Sequence, residues 1–337
     1  MADAFDDVYF ASCTPRGGIY RYRMYEDGSL CFADKISCDR PMYMIADGDV
    51  LYVLLRQPFT DIDESGLMTY DIHSDGSLTE RLPVVTTGGN VACHLCVFKK
   101  NIYAAHYVSG SIFSTGGRTV RLSGSSVHPE RQNSPHPHMI IPSPDGKYLM
   151  CADLGADAIL LYDENLNMID KTRAPAGSGP RHICVLDVHH IACVDELSCT
   201  LSIYEYRDAH IRYLYSERLY EKSYAENFLG AAIRFNKNTV YVSTRGADIV
   251  SVFRWDAGKL KRIQVMPCGG KSPRDILLVN DKLLCMNEIS STVSVFTIHS
   301  DGLLKEKNKT DVSIAAVLCA VSRRKNNDRC IQRSTGL

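Results

Sequence analysis

Charged residues stand near both ends of one short stretch of the chain, residues 178–199. Arg181 and His182 follow a turn signal at its start, and Asp195 and Glu196 come near its end. A guanidinium group can bind an anion, and an imidazole or a carboxylate can move a proton. If folding brings these side chains together, the stretch can hold an anionic substrate and perform acid–base chemistry on it.

The local pattern predicts the element that brings them together. An apolar run at residues 183–186 and a second at 191–194 are separated by a polar break at 187–190. Two short apolar runs with a turn between them are typical of a β-hairpin. In an antiparallel hairpin the first strand begins beside the place where the second ends. The predicted hairpin therefore places the two basic residues beside the two acidic ones.

This hairpin recurs along the chain. Further copies start at residues 41, 92, 137, 231 and 273, which gives a period of about 40 to 50 residues. Two more strand-like runs follow each hairpin. Four strands at this period are typical of a β-propeller blade. Six full blades fit between residue 41 and about residue 310.

The two ends of the chain supply a seventh blade. Strand-like runs occur at residues 8–13, 18–25 and 29–37 and again at 313–321. Strands from both ends in one blade would close the ring and remove free sheet edges. The sequence thus predicts an all-β fold, a seven-bladed β-propeller whose last blade is closed by N- and C-terminal strands. We expect a single domain over residues 1–337, with a frayed tail from about residue 322.

The composition limits the classes of partner. The chain is 45% hydrophobic with a net charge of −1, so it has enough apolar residues for a core and no basic field for nucleic acid. The acidic N-terminal segment has no secretory signal pattern, and no apolar run approaches the length of about 18 residues that a membrane helix needs. The 13 cysteines show no disulfide spacing, as expected for reduced thiols. We therefore expect a cytoplasmic protein.

Two pairs of residues resemble halves of metal sites. Cys93 and Cys96 have zinc-like spacing, but residues i and i+3 of a strand point to opposite faces. His136 and His138 would share one face, but no acidic cluster accompanies them. We predict no metal site here, and we expect a functional His138 beside a His136 that contacts a loop. No GxGxxG or P-loop pattern indicates a nucleotide cofactor either.

In a propeller the first strand of each blade lines the central channel, and residues at equivalent positions of the repeat form a ring at one mouth. The charged and titratable residues expected in this ring are His94, His138, Arg181, His182, Arg245, Arg274, Glu196 and Glu288. Arg274 could equally form a salt bridge to Asp275 or Glu288. The predicted ring is a dense charged set at a place that would otherwise be a packed centre.

Motifs in five segments of the chain resemble those of a known family, the seven-bladed propeller lactonases. The family includes 6-phosphogluconolactonases, and the carboxy-muconate cyclases of fungi are close relatives. The resemblance covers essentially the whole chain. It is carried by residues 125–157, 177–183, 195–204, 231–248 and 269–279.

The resemblance also implies which residues act. The family uses a His of a PHxH segment, an Arg of GPRH, a Glu of NEL and an Arg of NRG. The residues at these positions are His138, Arg181, Glu196 and Arg245, which we predict to be catalytic. We expect the substrate-binding residues to be His94, His182, Arg274, His136 and Glu288. The flanks depart from the family pattern, because Asp195 and Thr244 stand where Asn is usual.

Lactone hydrolysis needs a base for the attacking water and donors for the developing oxyanion. Glu196 or His138 could be the base, and Arg181 and Arg245 could hold an anionic substrate. The sequence therefore predicts a cofactor-independent lactonase for a small anionic sugar-acid lactone, most simply 6-phosphogluconolactone. The alternatives are a carboxy-muconate-type cycloisomerase and a non-enzymatic propeller that serves as an interaction platform. The oligomeric state stays open.

Overall fold

The computed structural model describes residues 4–221, 228–306 and 312–323. Within these ranges the chain forms 28 strands arranged in seven four-stranded antiparallel sheets. The described part contains no helix that is long and apolar enough to cross a membrane. The predicted seven-bladed, all-β propeller is confirmed.

The strands follow one another in chain order, four to a blade. The N-terminal three are β1 (Phe5–Ser12), β2 (Gly18–Tyr25) and β3 (Leu30–Ile36). Blade 1 has β4 (Pro41–Asp47), β5 (Val50–Leu55), β6 (Gly66–Ile72) and β7 (Leu78–Thr86). Blade 2 has β8 (Ala92–Phe98), β9 (Asn101–His106), β10 (Ser111–Ser114) and β11 (Arg118–Arg121). Blade 3 has β12 (Pro137–Pro142), β13 (Leu149–Asp153), β14 (Ala158–Tyr162) and β15 (Met168–Arg173).

The second half repeats this order. Blade 4 has β16 (Pro180–Val185), β17 (His190–Asp195), β18 (Thr200–Arg207) and β19 (His210–Arg218). Blade 5 has β20 (Leu229–Asn236), β21 (Thr239–Arg245), β22 (Ile249–Asp256) and β23 (Lys259–Pro267). Blade 6 has β24 (Pro273–Val279), β25 (Lys282–Asn287), β26 (Thr292–Ile298) and β27 (Leu304–Glu306). The last strand is β28 (Val317–Ser322), which joins β1, β2 and β3 as blade 7.

Blade 7 closes the ring as predicted. The C-terminal strand β28 pairs with β1, and Ala320 lies opposite Phe10. The innermost strand of each blade packs against the innermost strands of both neighbours, in the order β4, β8, β12, β16, β20, β24 and β28. The ring of inner strands is therefore continuous. Most of the expected frayed tail lies outside the described residues.

The second strand of each blade packs against both neighbouring blades, which explains why its residues are almost all buried. In β17, Ala192 and Val194 join a core cluster with residues of blade 5. Ile191 and Cys193, which point to the opposite face, join a cluster with residues of blade 3. Alternate residues of one strand thus fill two interblade cores. Cys151, Cys193 and Cys285 lie on the second strands of blades 3, 4 and 6 and are buried there.

A β-bulge interrupts the start of every innermost strand. In blade 4, Pro180 pairs with Asp195 and His182 pairs with Val194, so Arg181 is left as an extra residue. The same register shift occurs in the other six blades. A bulge redirects the side chain of its extra residue. The strand alternation that we assumed for His136 and His138 is therefore wrong, because β12 begins at Pro137 and the bulge falls at His138.

Buried tyrosines on second strands join neighbouring blades. The hydroxyl of Tyr9 donates to the Gly76 carbonyl oxygen at 2.7 Å, and that of Tyr241 donates to the Gly302 carbonyl oxygen at 2.9 Å. In each case the acceptor lies in the turn before the fourth strand of the next blade. The tyrosine satisfies a turn carbonyl that would otherwise lie unpaired at a buried interface.

We expect Tyr9→Phe and Tyr241→Phe each to lower the free energy of unfolding by about 1 kcal/mol, because each leaves a buried carbonyl without its donor. The measurement is the shift of the urea denaturation midpoint. Tyr25→Phe, at a partly exposed position of β2, is the control and should leave the midpoint unchanged. Equal shifts in all three variants would contradict a specific role for the interblade bonds.

Candidate active site

Seven bulge residues, one from each blade, surround one mouth of the channel. They are Met42, Cys93, His138, Arg181, Ala231, Arg274 and Leu318. The ring is chemically divided. Met42, Cys93 and Leu318 pack together as an apolar cluster, which we call the apolar arc. The polar bulge residues His138, Arg181 and Arg274 come from blades 3, 4 and 6.

Residues that follow or end the second strands complete the polar side. Glu196 directly follows β17, and Arg245 ends β21. The Glu196 segment is fixed through its backbone, since its N–H donates to Gly179 O at 2.7 Å and its carbonyl oxygen accepts from Gly230 N at 3.0 Å. A Cβ at Gly230 would lie 2.4 Å from the Asp195 carbonyl oxygen. Glycine at this position therefore lets blade 5 approach Glu196 closely.

The Glu196 carboxylate is buried between guanidinium groups. Its Oε2 accepts hydrogen bonds from Arg181 Nε at 2.9 Å and from Arg245 Nη2 at 2.7 Å. Its Oε1 accepts one from Arg131 Nη2. Only 3% of Glu196 is exposed. Both carboxylate oxygens are thus occupied by charged donors.

This environment decides the ionisation of Glu196. Burial alone would raise the pKa of its carboxyl, because a charged group is poorly solvated there. The nearby positive charges, above all Arg245 and Arg181, outweigh burial and hold the pKa well below its usual range. Glu196 is therefore an anion at any ordinary pH, and its oxygens have little tendency to take up a proton.

Arg181 is buried and uses several of its donors. Besides the bond to Glu196, its Nη1 donates to the Ala231 carbonyl oxygen at 2.7 Å and lies 3.3 Å from His182 Nε2. Burial and the neighbouring Arg245 lower the pKa of Arg181 to about 9, so the guanidinium stays protonated at neutral pH. Arg181 thus joins blade 4 to blade 5 beneath Glu196.

His138 lies among aromatic rings beside the carboxylate. Its ring meets those of His182 and Tyr107 edge to face, with centroids 5.1 Å and 5.7 Å away. Burial, together with Arg181, holds the pKa of His138 well below its usual value, which keeps the imidazole neutral. Its Nδ1 is buried and has no hydrogen-bond partner among the described residues. A neutral imidazole in this position can still bond to a ligand or to water.

His94 and His182 form a deeper layer of neutral imidazoles. Burial lowers the pKa of His94 to about 3, and burial with Arg181 holds the pKa of His182 well below its usual value. The two rings lie 5.9 Å apart, and His94 also packs on Tyr43 at 4.3 Å. They support the mouth from below without adding charge to it.

His136 contacts the loop after β9. Its ring stacks on Tyr107 at 4.4 Å, and its Nδ1–H donates to the Tyr107 carbonyl oxygen at 2.7 Å. Its backbone N–H donates to the Asp153 carboxylate at 2.8 Å. His136 thus holds Tyr107 in place at the edge of the mouth.

Arg274 and Glu288 form an ion pair at 3.3 Å, and each side chain is about a quarter exposed. Asp275, the other partner considered for Arg274, is paired with Arg234 at 2.8 Å instead. Arg274 is close enough to affect the titration of His138 and Arg181. It adds positive charge to the mouth without contacting Glu196.

Sequence reasoning missed Arg131 and Arg234. Arg131 lies in the connection between β11 and β12, outside the strand repeat, so no equivalent position in other blades marked it. Its only signal was its place within the motif segment at residues 125–157. Arg234 lies near the end of β20. In the sequence it stands just before the polar residues that connect β20 to β21, so it looks like part of that turn. The described residues include no group of three or more His, Cys, Asp and Glu that could hold a metal ion.

A sequence model of the seven-bladed β-propeller lactonases matches residues 7–321. The chain belongs to the seven-bladed β-propeller lactonase family. An uncharacterised protein of Staphylococcus aureus is 30% identical over 320 residues, which cover 86% of this chain and 91% of that protein. The family resemblance noted in the sequence is confirmed.

Solved structures of the same fold are similar over nearly the whole chain. A protein from Lactobacillus plantarum has a TM-score of 0.86 at 23% identity, covering 95% of this chain and 100% of that one. The periplasmic gluconolactonase of Pseudomonas aeruginosa has a TM-score of 0.85 at 21% identity, covering 95% and 99%. A proposed 6-phosphogluconolactonase of Bacteroides fragilis has a TM-score of 0.86 at 23% identity, covering 96% and 99%. At this identity the likeness establishes the fold.

We expect acid to lower the free energy of unfolding of this lactonase, because it protonates Glu196. Because its folded pKa is depressed, the stability that Glu196 contributes is present above the unfolded value of 4.5 and is lost as the pH falls toward the folded value. We expect Glu196→Gln to cost about 3 to 5 kcal/mol at neutral pH, since it leaves buried guanidinium groups without their anion. Denaturation at several pH values should show this difference shrinking as the pH falls below about 4.5. A difference that does not change with pH would contradict a depressed pKa.

Proposed function

We propose that this lactonase hydrolyses a small anionic sugar-acid lactone, with 6-phosphogluconolactone as the substrate. The observation that carries the proposal is the charge at the mouth. Four guanidinium groups (Arg131, Arg181, Arg245 and Arg274) face two carboxylates (Glu196 and Glu288), which leaves an excess of two positive charges. Such a site favours an anionic ligand. The P. aeruginosa gluconolactonase and the proposed 6-phosphogluconolactonase of B. fragilis share the fold and support a sugar-acid substrate.

We assign the base to His138. A base needs a lone pair that can reach the attacking water, and both Glu196 oxygens accept from guanidinium groups. The His138 imidazole is neutral, and its Nδ1 has no partner among the described residues. The Glu196 charge tends to raise the pKa of His138, so it stabilises the imidazolium that forms when the water loses its proton. A weak base suffices because sugar-acid lactones already open slowly without a catalyst.

Arg245 is the proposed donor to the oxyanion. Its Nη2 donates to Glu196, while its Nε is buried without a partner among the described residues. A donor that is already fixed by Glu196 can stabilise developing charge without reorganising during the reaction. In this mechanism water attacks the lactone carbonyl, His138 takes the proton, and Arg245 stabilises the tetrahedral intermediate. Ring opening then returns the proton to the leaving oxygen.

One observation favours a second candidate, a cycloisomerase that acts on a carboxylated muconate. The apolar arc of Met42, Cys93 and Leu318 offers hydrocarbon and sulfur surface on one side of the mouth. A sugar lactone carries several hydroxyl groups that need hydrogen-bond partners, whereas a muconate carries a hydrocarbon chain between its carboxylates. The guanidinium groups would then hold carboxylates, and His138 would move a proton at carbon.

The direct test compares hydrolysis of 6-phosphogluconolactone and gluconolactone, after subtraction of spontaneous opening. We expect turnover of the phosphorylated lactone, and we expect His138→Gln and Arg245→Met to lower kcat by about 100-fold or more, in the range typical of lost acid–base and oxyanion groups. Glu217→Gln and Arg207→Met, at exposed positions of blade 4, are the matched controls. Turnover of only the unphosphorylated lactone would contradict 6-phosphogluconolactone as the substrate and keep lactone hydrolysis as the reaction. No turnover of either would reject the function, and conversion of a carboxylated muconate would then support the cycloisomerase.

The pH profile tests the proposed base separately. His138 has a pKa far below its ordinary value and Glu196 is always ionised, so neither group changes protonation near neutrality. We therefore expect neither group to contribute a limb to kcat/KM near the ordinary imidazole value of about 6.5, so any limb there should come from the substrate phosphate, with a second pKa of about 6, or from Asp195, whose pKa burial raises to about 7. A limb near that value in the wild type that disappears in His138→Gln would contradict a buried, neutral His138.

A further inference from the structure

We propose that Arg131 is the residue that selects for anionic substrates, because it pairs with Glu196 in this structure and transfers to the anionic group of the substrate when one binds. This inference rests on the proposed function only for the identity of the lactone. It assigns a role to a residue outside the strand repeat that carries the rest of the site.

Arg131 differs from the other two arginines that contact Glu196 in two ways: its side chain is more exposed, and it lies in a connection instead of on a strand. The side chains of Arg181 and Arg245 are 3% and 14% exposed, whereas that of Arg131 is 33% exposed. Arg181 and Arg245 lie on strands, and Arg131 reaches the carboxylate from the connection between β11 and β12. Among the three, Arg131 is the one whose side chain can leave Glu196 without disturbing a sheet.

The hydrogen bonds of Arg131 leave part of its guanidinium available. Its Nη2 donates to Glu196 Oε1 and to the Tyr107 hydroxyl, at 3.2 Å in the second case. Both of its side-chain hydrogen bonds to described residues thus use the same nitrogen, so Nε and Nη1 remain for a ligand. Each edge of a guanidinium that binds phosphate or carboxylate in a bidentate manner pairs Nη2 with Nε or with Nη1, so Arg131 presents such an edge once Nη2 has left Glu196.

The backbone that carries Arg131 is held in place. The next residue, Gln132, donates from its side chain to the Leu154 carbonyl oxygen at 2.9 Å and from its backbone to His128 O at 2.9 Å. The Gln132 carbonyl oxygen in turn accepts from Ser126 N at 2.8 Å. The transfer we propose is therefore a rotation of the Arg131 side chain on a fixed loop, a motion that partly exposed side chains make readily.

The exchange explains why substrate charge would matter. Moving Arg131 away from Glu196 breaks an ion pair, and a neutral lactone offers nothing in return. An anionic lactone replaces the lost pair with a new one to the same guanidinium. A substrate hydroxyl then takes the place of Arg131 as the donor to Glu196 Oε1, so both carboxylate oxygens stay occupied. Arg181 and Arg245 keep Oε2 occupied, so Glu196 stays fixed during the exchange.

The test measures kcat and KM separately for 6-phosphogluconolactone and gluconolactone, using wild type, Arg131→Lys and Arg131→Met. For Arg131→Met we expect KM for the phosphorylated lactone to rise about 10- to 100-fold, the usual size of a lost charged hydrogen bond. KM for the neutral lactone should change by less than about threefold, and Arg131→Lys should recover part of the loss because it keeps the charge without the fork. Arg121→Met, at an exposed position of β11, is the matched control and should change neither value. Equal losses for both lactones would show a purely structural role and overturn the proposal.

A binding measurement separates this proposal from the choice of substrate. Inorganic phosphate is titrated calorimetrically into wild type, Arg131→Met and Arg121→Met. We expect wild type and Arg121→Met to bind it alike and Arg131→Met to bind it at least about 10-fold more weakly. If neither lactone is hydrolysed but this difference is found, the assigned function fails and the role of Arg131 stands. If wild type binds phosphate no better than Arg131→Met, the proposal is wrong whatever the enzyme hydrolyses.

Discussion

The rest of the candidate site depends on one buried anion. Removing a carboxylate from water is costly unless charged donors replace the water. Glu196 has such donors on both oxygens, and each comes from a different part of the fold: β16, β21 and the connection before β12. The carboxylate therefore fixes the relative positions of three arginines. The arginines in turn lower the pKa of Glu196, so this carboxylate is better suited to position the guanidinium groups than to accept a proton.

The geometry that makes this possible is the bulge at the start of each inner strand. In a regular ladder Arg181 would lie opposite a residue of β17, and the alternation of the strand would decide to which face its side chain points. The bulge leaves it unpaired, beside the end of β17 where Glu196 follows. Proline at the preceding position in blades 1, 3, 4 and 6 suits a place where a ladder hydrogen bond is not needed. The repeat thus supplies seven equivalent positions, and the sequence assigns them different chemistry.

Much of the fold could be predicted from local pattern because a propeller repeats one unit. Each hairpin could be recognised by its two apolar runs, and closure followed from unmatched runs at the two ends of the chain. The neighbourhood of Arg181 and Glu196 could also be predicted, since a hairpin fixes it. The bulges could not, because an extra residue in a strand leaves the apolar pattern almost unchanged. Arg131 could not be predicted because its position depends on the path of an irregular connection, which the repeat does not constrain.

The division of the mouth into charged and apolar halves follows from the same energetics. Three bulge positions carry Met42, Cys93 and Leu318, which pack against one another and need no partners. Charged groups in those positions would each require a buried counterion, as Arg181 requires Glu196. Concentrating the cations on one side lets a single carboxylate serve three of them and leaves an excess of positive charge there. A ligand with one charged end would therefore bind in one orientation, with that end toward the arginines and its less polar face toward the apolar arc. In the proposed mechanism, this orientation places the lactone carbonyl between His138 and Arg245.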